Sequence, residues 1–169
     1  MGKVTWKPGT LVYPIPAVLV SCGTMENANV FTVAWTGTIC TDPAMTYVSI
    51  RPERYSYDII KSTGEFVINL TTEELLKATD YCGVRSGKDV DKWKETGLTR
   101  GKANELSYAP IIEECPVNIE CKVTEVKKLG SHDMFLAEIV GVNVEENLLD
   151  EEGNCIVTGA TSDVFNNKM

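Results

Sequence analysis

Two arginines at a strand-to-helix junction are the sharpest chemical feature of this sequence. The segment is Ser49-Ile50-Arg51-Pro52-Glu53-Arg54-Tyr55-Ser56-Tyr57. A strand ends, two guanidinium groups follow, and a helix is expected to start with Ser56 as its N-cap. A helix N-terminus offers free N–H groups to an anion, and arginine grips a phosphate with two donors at once. The hydroxyls of Ser49 and Ser56 would complete such a shell. The competing reading is a solvated basic turn paired with Glu53 and Asp58. A second cluster, Cys82-Gly83-Val84-Arg85-Ser86-Gly87-Lys88-Asp89, superficially resembles a P-loop. The spacing between its glycines is one residue too short, and Asp89 stands where Ser or Thr is needed, so nucleoside triphosphate hydrolysis is rejected. A glycine-rich phosphate clamp with Arg85, Ser86 and Lys88 remains. No G-x-G-x-x-G occurs, which argues against a Rossmann dinucleotide site.

Two further segments carry chemistry of a different kind. Asn29-Val30-Phe31-Thr32-Val33-Ala34-Trp35-Thr36-Gly37-Thr38 alternates small or hydroxyl residues with apolar ones. It reads either as a polar strand edge or as a backbone ribbon that offers N–H and C=O groups to the rim of a flat heteroaromatic ligand. In Leu129-Gly130-Ser131-His132-Asp133, His132 is the chain's one histidine. It is the only side chain whose ordinary pKa lies near neutrality. It reads either as a hairpin-capping residue or as a group facing a ligand cleft. A Ser-His-Asp triad within adjacent residues is not credible, because neighbouring strand residues point to opposite faces.

The elements that position these groups are mostly strands. Pro16 to Gly23, Met45 to Ile50 and Glu65 to Leu70 are β-branched or alternating runs closed by turn residues. Val117 to Lys127 alternates over its whole length, and Met134 to Val144 answers it across Gly130–Asp133, which predicts a long antiparallel hairpin. Helices are few and short. One is expected over residues 56–64 with a terminal Gly64, and a second opens at a Thr71-Thr72-Glu73-Glu74 capping box and runs toward Cys82. The pattern is mainly β, an antiparallel barrel with helical insertions in place of βαβ units.

Bulk properties exclude several classes. The 169 residues fit one domain spanning 1–169, with 43% apolar and 24% charged residues, both ordinary globular values. The formal net charge is −8, so a nucleic-acid partner is disfavoured and any anionic ligand must be held by a local basic cluster. The longest apolar stretch near the start, Pro14 to Cys22, is about nine residues, against the ~20 of a spanning helix. With no signal-peptide pattern at the start, a cytoplasmic protein with no membrane partner is expected. None of the six cysteines forms a C-x-x-C pair, so free thiols and no metal site are expected.

The order of these motifs resembles the flavin reductase-like family of FMN-binding split barrels, which includes flavoredoxins. The resemblance rests on Tyr13-Pro14-Ile15-Pro16, Asn29 to Gly37, Asp42-Pro43, Ser49 to Ser56, Gly64 to Leu70, Cys82-Gly83, Ser86 to Trp93, Ala109-Pro110, Glu114 to Val117 and Gly130 to Phe135. It covers roughly residues 12–150. It implies a six-stranded antiparallel Greek-key split barrel, a homodimer, and non-covalent FMN near the dimer interface. By position, Asn29, Thr32, Val33, Ala34, Trp35 and Thr36 would border the isoalloxazine ring. Ser49, Ile50, Arg51, Ser56 and Tyr57, helped by Ser86 and Lys88, would hold the ribityl phosphate. His132 matches a position beside the flavin and the nicotinamide pocket and would be catalytic. NAD(P)H is the implied reductant of a flavin or ferric reductase, and a redox protein is the implied partner of a carrier. Family members continue into a Tyr-bearing tail that Cys155 to Met169 does not match, which suggests a more open site.

Overall fold

The computed structural model describes residues 1–153. The divergent segment Cys155 to Met169 lies outside the described residues. The chain enters its fold at strand β1 (Val18–Gly23) and continues through β2 (Ala28–Val33), β3 (Thr36–Thr41) and β4 (Ala44–Ile50). Helix α1 (Tyr55–Thr63), β5 (Glu65–Asn69), and helices α2 (Leu76–Val84) and α3 (Lys92–Thr96) follow. Two short strands, β6 (Arg100–Gly101) and β7 (Ile111–Ile112), pair with each other. The long strands β8 (Val117–Lys128) and β9 (Asp133–Val144) complete the main sheet.

That sheet has seven strands in the order β2-β1-β5-β8-β9-β4-β3, and all its pairs are antiparallel. Its two edge strands, β2 and β3, are consecutive in the chain and separated only by Ala34 and Trp35. Such a link spans at most ~10 Å, so the edges must meet and the sheet must curl into a barrel. The Ser49 N–H donates to the Trp35 carbonyl at 2.9 Å, which extends the β3–β4 pairing into that link. The mainly β, split-barrel architecture is as the sequence suggests, but the strand count is seven in the main sheet, not six. The Asn29–Thr38 ribbon supplies two strands, one at each edge.

Alternation explains where the core sits. Val18, Val20 and Cys22 of β1 face the barrel interior with Phe66, Val48, Phe135 and Ile60. Leu19 of the same strand faces the other way, against Leu75, Cys82, Trp93 and Leu98 under α2 and α3. Two buried carboxylates then pin the 104–109 loop to the barrel. Glu120 accepts the Asn104 and Glu105 N–H groups at 2.8 and 2.7 Å, and Glu65 accepts from Ser107 and Tyr108 at 3.2 and 2.8 Å.

Two helix starts differ from the sequence expectation. Arg54, not Ser56, occupies the N-cap of α1, with no side-chain cap bond. Ser56 sits in the first turn, where its hydroxyl is taken by the Asn29 amide. The capping box at residues 71–74 does not open α2, which starts at Leu76. Thr71 is drawn away, its hydroxyl donating to the Ala17 carbonyl at 2.8 Å. The Gly64 stop of α1 is observed, in the left-handed conformation with φ 70°.

Candidate functional site

Three elements converge outside the seam of the barrel: strand β2, the first turn of α1 and the loop after α2. Between them lies a cleft of about 390 Å³, within the range of small-molecule sites. Its floor is an inter-element hydrogen bond, from the Asn29 amide to the Ser56 hydroxyl at 2.7 Å, with both side chains buried. Its walls carry Arg51, Arg54, Arg85 and Lys92 against one carboxylate, Glu53. In a chain of net charge −8 this is a local inversion of sign. The backbone comes close because Gly87 packs on Asn29 and Tyr55. A Cβ there would overlap the Asn29 Oδ1 and approach the Tyr55 ring to 2.8 Å.

The cations differ in character. Arg51 is half exposed and makes a single 3.3 Å contact with Glu53, a surface pair of little energetic weight, so its guanidinium is available to a ligand. Lys92 is 3% exposed, and its ammonium donates to the Cys82 carbonyl at 2.8 Å. Burial pushes the Lys92 pKa down, and Arg54 adds to that effect. An ammonium has three donors, and a buried cation is costly unless an anion meets it. The neighbouring thiols are not nucleophiles: burial pushes Cys22 up to about 12 and Cys82 to about 11.

A second cleft of about 200 Å³ shares Phe31, Thr32, Arg51 and Arg54 with the first. It runs along Val33, Ala34 and Trp35, then Ser49 and Ile50, and ends at His132. Val33 and Ile50 turn their side chains into the barrel core, so they present backbone to the cleft. His132 is half-buried in the β8–β9 turn, where its Nδ1 lies 2.9 Å from the Ser131 hydroxyl.

The expected site residues therefore divide. Asn29, Thr32, Arg51, Ser56 and Ser86 meet at the cationic cleft, and Thr32, Val33, Ala34, Trp35, Ser49, Ile50, Arg51 and His132 at the second. Lys88 lines a third hollow beside Asp89, Asp91 and Arg100. Thr36 lies beyond the seam, with its hydroxyl donating to the Tyr47 carbonyl at 2.7 Å. Tyr57 is corrected: it points into the barrel, where its hydroxyl donates to Asp133 Oδ2 at 2.6 Å and its ring packs on Phe135. Residue 57 follows Ser56 on a helix, so the two side chains face different ways. Both arginines of the Ser49–Tyr57 segment stand out in the sequence, though only Arg51 was expected to hold the phosphate, and Lys92 does not stand out. The burial of Lys92 depends on α3 packing against β2.

The fold and the paired clefts define a split-barrel protein of the flavin reductase-like class. The family model for the flavin reductase like domain matches residues 10–158, and the chain belongs to that family. It is similar to the flavoredoxin of Desulfovibrio vulgaris (Miyazaki F), at 31% identity and TM-score 0.84, covering 94% of this chain and 85% of that one. It is similar also to an FMN-binding protein from Thermus thermophilus solved with bound 1-cyclohex-2-enone, at 25% identity and TM-score 0.79, covering 92% and 86%. An uncharacterised protein of Archaeoglobus fulgidus is 34% identical over 131 residues, 78% of this chain and 73% of that protein. Among the described residues, no helix is long and apolar enough to cross a membrane, and no three His, Cys, Asp or Glu side chains form a metal cluster.

Proposed function

We propose that this protein binds FMN non-covalently across the two joined clefts and uses it to transfer electrons, with NAD(P)H as the hydride donor. The observation that carries the reading is the junction itself. A cleft with four cations opens, through Phe31, Thr32, Arg51 and Arg54, into one bordered by the seam backbone and His132. A ligand with a terminal phosphate at one end and a flat polar heterocycle at the other fits that sequence of surfaces. The donor set fits the group: Arg51, Arg54 and Lys92 suit a phosphate dianion, the Ser56–Asn29 floor supplies neutral partners, and Gly87 lets the loop backbone approach.

When bound, FMN supplies the reversible uptake of a hydride or electrons. The chain's own part is binding, orientation and electrostatics. Arg51 stands where the clefts meet and offers positive charge to both. Trp35 and Ala34, which line the second cleft, would border the ring and exclude water from one side of it. His132, at the far end, favours added negative charge when protonated and donates one hydrogen bond when neutral.

A second reading, a carrier exchanging electrons with a redox protein without NAD(P)H, draws support from the likeness to a flavoredoxin. The deciding experiment is anaerobic mixing of the yellow holoprotein with NADH or NADPH. Rapid bleaching supports the reductase. A flavin that bleaches only with a reduced protein donor supports the carrier. Failure of the purified protein to take up any flavin defeats both. His132→Ala should keep FMN and melting temperature while changing the rate of flavin reduction, read by stopped-flow absorbance.

A further inference from the structure

Asp133 puts a carboxyl group where an apolar side chain would pack. It is 5% exposed and opens β9 opposite Ile50 of β4. Phe135, two residues on along the same face, is a core residue. A buried carboxyl is costly unless it is hydrogen-bonded, and apolar residues of similar volume are often at least as stable as a buried polar pair. What a polar pair adds is direction. The Tyr57 hydroxyl donates to Asp133 Oδ2 at 2.6 Å, across 76 positions of sequence. The Tyr57 ring is itself held. It lies edge-on to Phe135 with centroids 5.2 Å apart, and the Lys61 ammonium stands 5.7 Å from its centroid.

Each partner of this bond follows a cleft residue in the chain. Ser56, before Tyr57, forms the floor of the cationic cleft, and His132, before Asp133, ends the second. Consecutive side chains at the mouth of a strand face opposite ways, so an inward Asp133 leaves His132 turned toward the cleft. His132 belongs to a turn that is bonded to itself. The Leu129 N–H donates to the His132 carbonyl at 3.1 Å, and the Ser131 hydroxyl lies 2.9 Å from His132 Nδ1. Leu129, Gly130 and Ser131 are exposed. Asp133 carries this turn onto the body of the protein, and it lands on the first turn of α1.

We propose that Tyr57 and Asp133 are a positioning pair whose hydrogen bond fixes the β8–β9 turn, and with it His132, relative to the α1 turn that bears Ser56. Neither side chain lines either cleft; each acts through the residue before it. A ligand spanning both clefts then meets its two ends on one rigid frame. Misplacing a contact at the reacting centre by ~1 Å costs on the order of a hundredfold in rate. Loss of this bond is therefore felt at His132, while the cationic end keeps its grip. The effect on flavin reduction rests on the FMN reading; the effect on the turn does not.

Tyr57→Phe deletes one oxygen and keeps the ring against Phe135. In the apoprotein it should accelerate hydrogen exchange of the Leu129 amide at least about fivefold relative to the amides of the central strand β5. Asp133→Ala should do the same. Asp133→Asn, whose amide oxygen still accepts from the tyrosine, should exchange like the parent. In the holoprotein, Tyr57→Phe should leave FMN affinity unchanged and slow flavin reduction about tenfold, read by stopped-flow absorbance with the reductant that bleaches the parent. In a His132→Ala background the same substitution should change that rate less than about twofold, because the residue it positions is gone. A pair that merely stabilises the barrel would accelerate the β5 amides as much as Leu129, or slow reduction equally with and without His132; either result overturns the proposal. An Asp133→Asn protein that behaves like Asp133→Ala overturns it as well. A parent that takes up no flavin defeats the FMN reading and the rate effect with it, while the exchange measurement still decides whether the pair holds the turn.

Discussion

At the scale of single residues, the cationic cleft contains two kinds of positive charge, and they predict different phenotypes. Arg51 is half exposed and solvated in the free protein, so its removal should cost the fold nothing. Arg51→Ala should weaken FMN binding about tenfold to a hundredfold, since a hydrogen bond to a charged group contributes about 1.5–3 kcal/mol. Lys92 is buried, and its pKa is pushed below the ordinary lysine value by that burial. A group whose charged form is penalised by folding destabilises the free protein at neutral pH, and the penalty fades as pH rises through its folded pKa. Lys92→Met should therefore leave the apoprotein as stable as the parent or more so, while weakening FMN by a factor similar to that of Arg51→Ala. Thermal melting of apoprotein together with fluorescence titration of FMN would separate the two effects. An apoprotein destabilised by several kcal/mol would mean that the bond from Lys92 to the Cys82 carbonyl outweighs the cost of burying the charge.

Among the elements, the wall made by the last turn of α2 and the loop after it depends on close backbone approach at Gly87 in the loop and not at Gly83 in the helix. A Cβ on Gly83 would meet Thr32 Cβ at 3.4 Å, an ordinary contact. A Cβ on Gly87 would drive into Asn29, which is 5% exposed and bonded to Ser56, and into the Tyr55 ring. Gly83→Ala should bind FMN normally. Gly87→Ala should push the Ser86–Lys88 turn outward and lower FMN affinity at least about tenfold, with a circular dichroism spectrum unlike neither parent nor Gly83→Ala. Equal affinities for the two variants would show that the turn yields freely and does not shape the site. The sequence marked both glycines as members of a phosphate-clamp loop. It could not rank them, because the difference lies in which strand and which helix the loop happens to cover.

For the molecule as a whole, stability leans on carboxylates that hold backbone. Burial pushes the Glu120 carboxyl up, but the Asn104 N–H, the Asn143 amide and the Glu105 N–H outweigh it and hold the pKa below the ordinary value. A carboxyl with a depressed folded pKa contributes stability above its unfolded pKa of about 4.3, and that contribution is lost as pH falls through the folded value. Glu120→Gln should remove about 1–3 kcal/mol at neutral pH, because an amide cannot accept on both sides. It should also flatten the fall in stability below about pH 4.3 relative to the parent. Urea melts at neutral pH and below pH 4 would check this; parallel acid limbs in parent and variant would show that other carboxylates dominate.

The sequence by itself determined the strands, the long hairpin and the kind of chemistry. Alternation over Val117–Lys127 and Met134–Val144 pointed to antiparallel pairing, and Arg51 beside a helix start pointed either to an anion site or to a solvated basic turn. These signals survive because they are local: a period of two or a residue's charge does not depend on what packs against it. Only the tertiary structure decided that the Asn29–Thr38 ribbon splits at Ala34-Trp35 into two edge strands, since closure of a seven-stranded sheet is a property of the strand order. It alone turned Tyr57 inward to Asp133, freed Ser56 from capping to meet Asn29, and buried Lys92 under the cleft. Each of those outcomes is a contact between residues dozens of positions apart or between separate elements, set by which surfaces the closed barrel brings together.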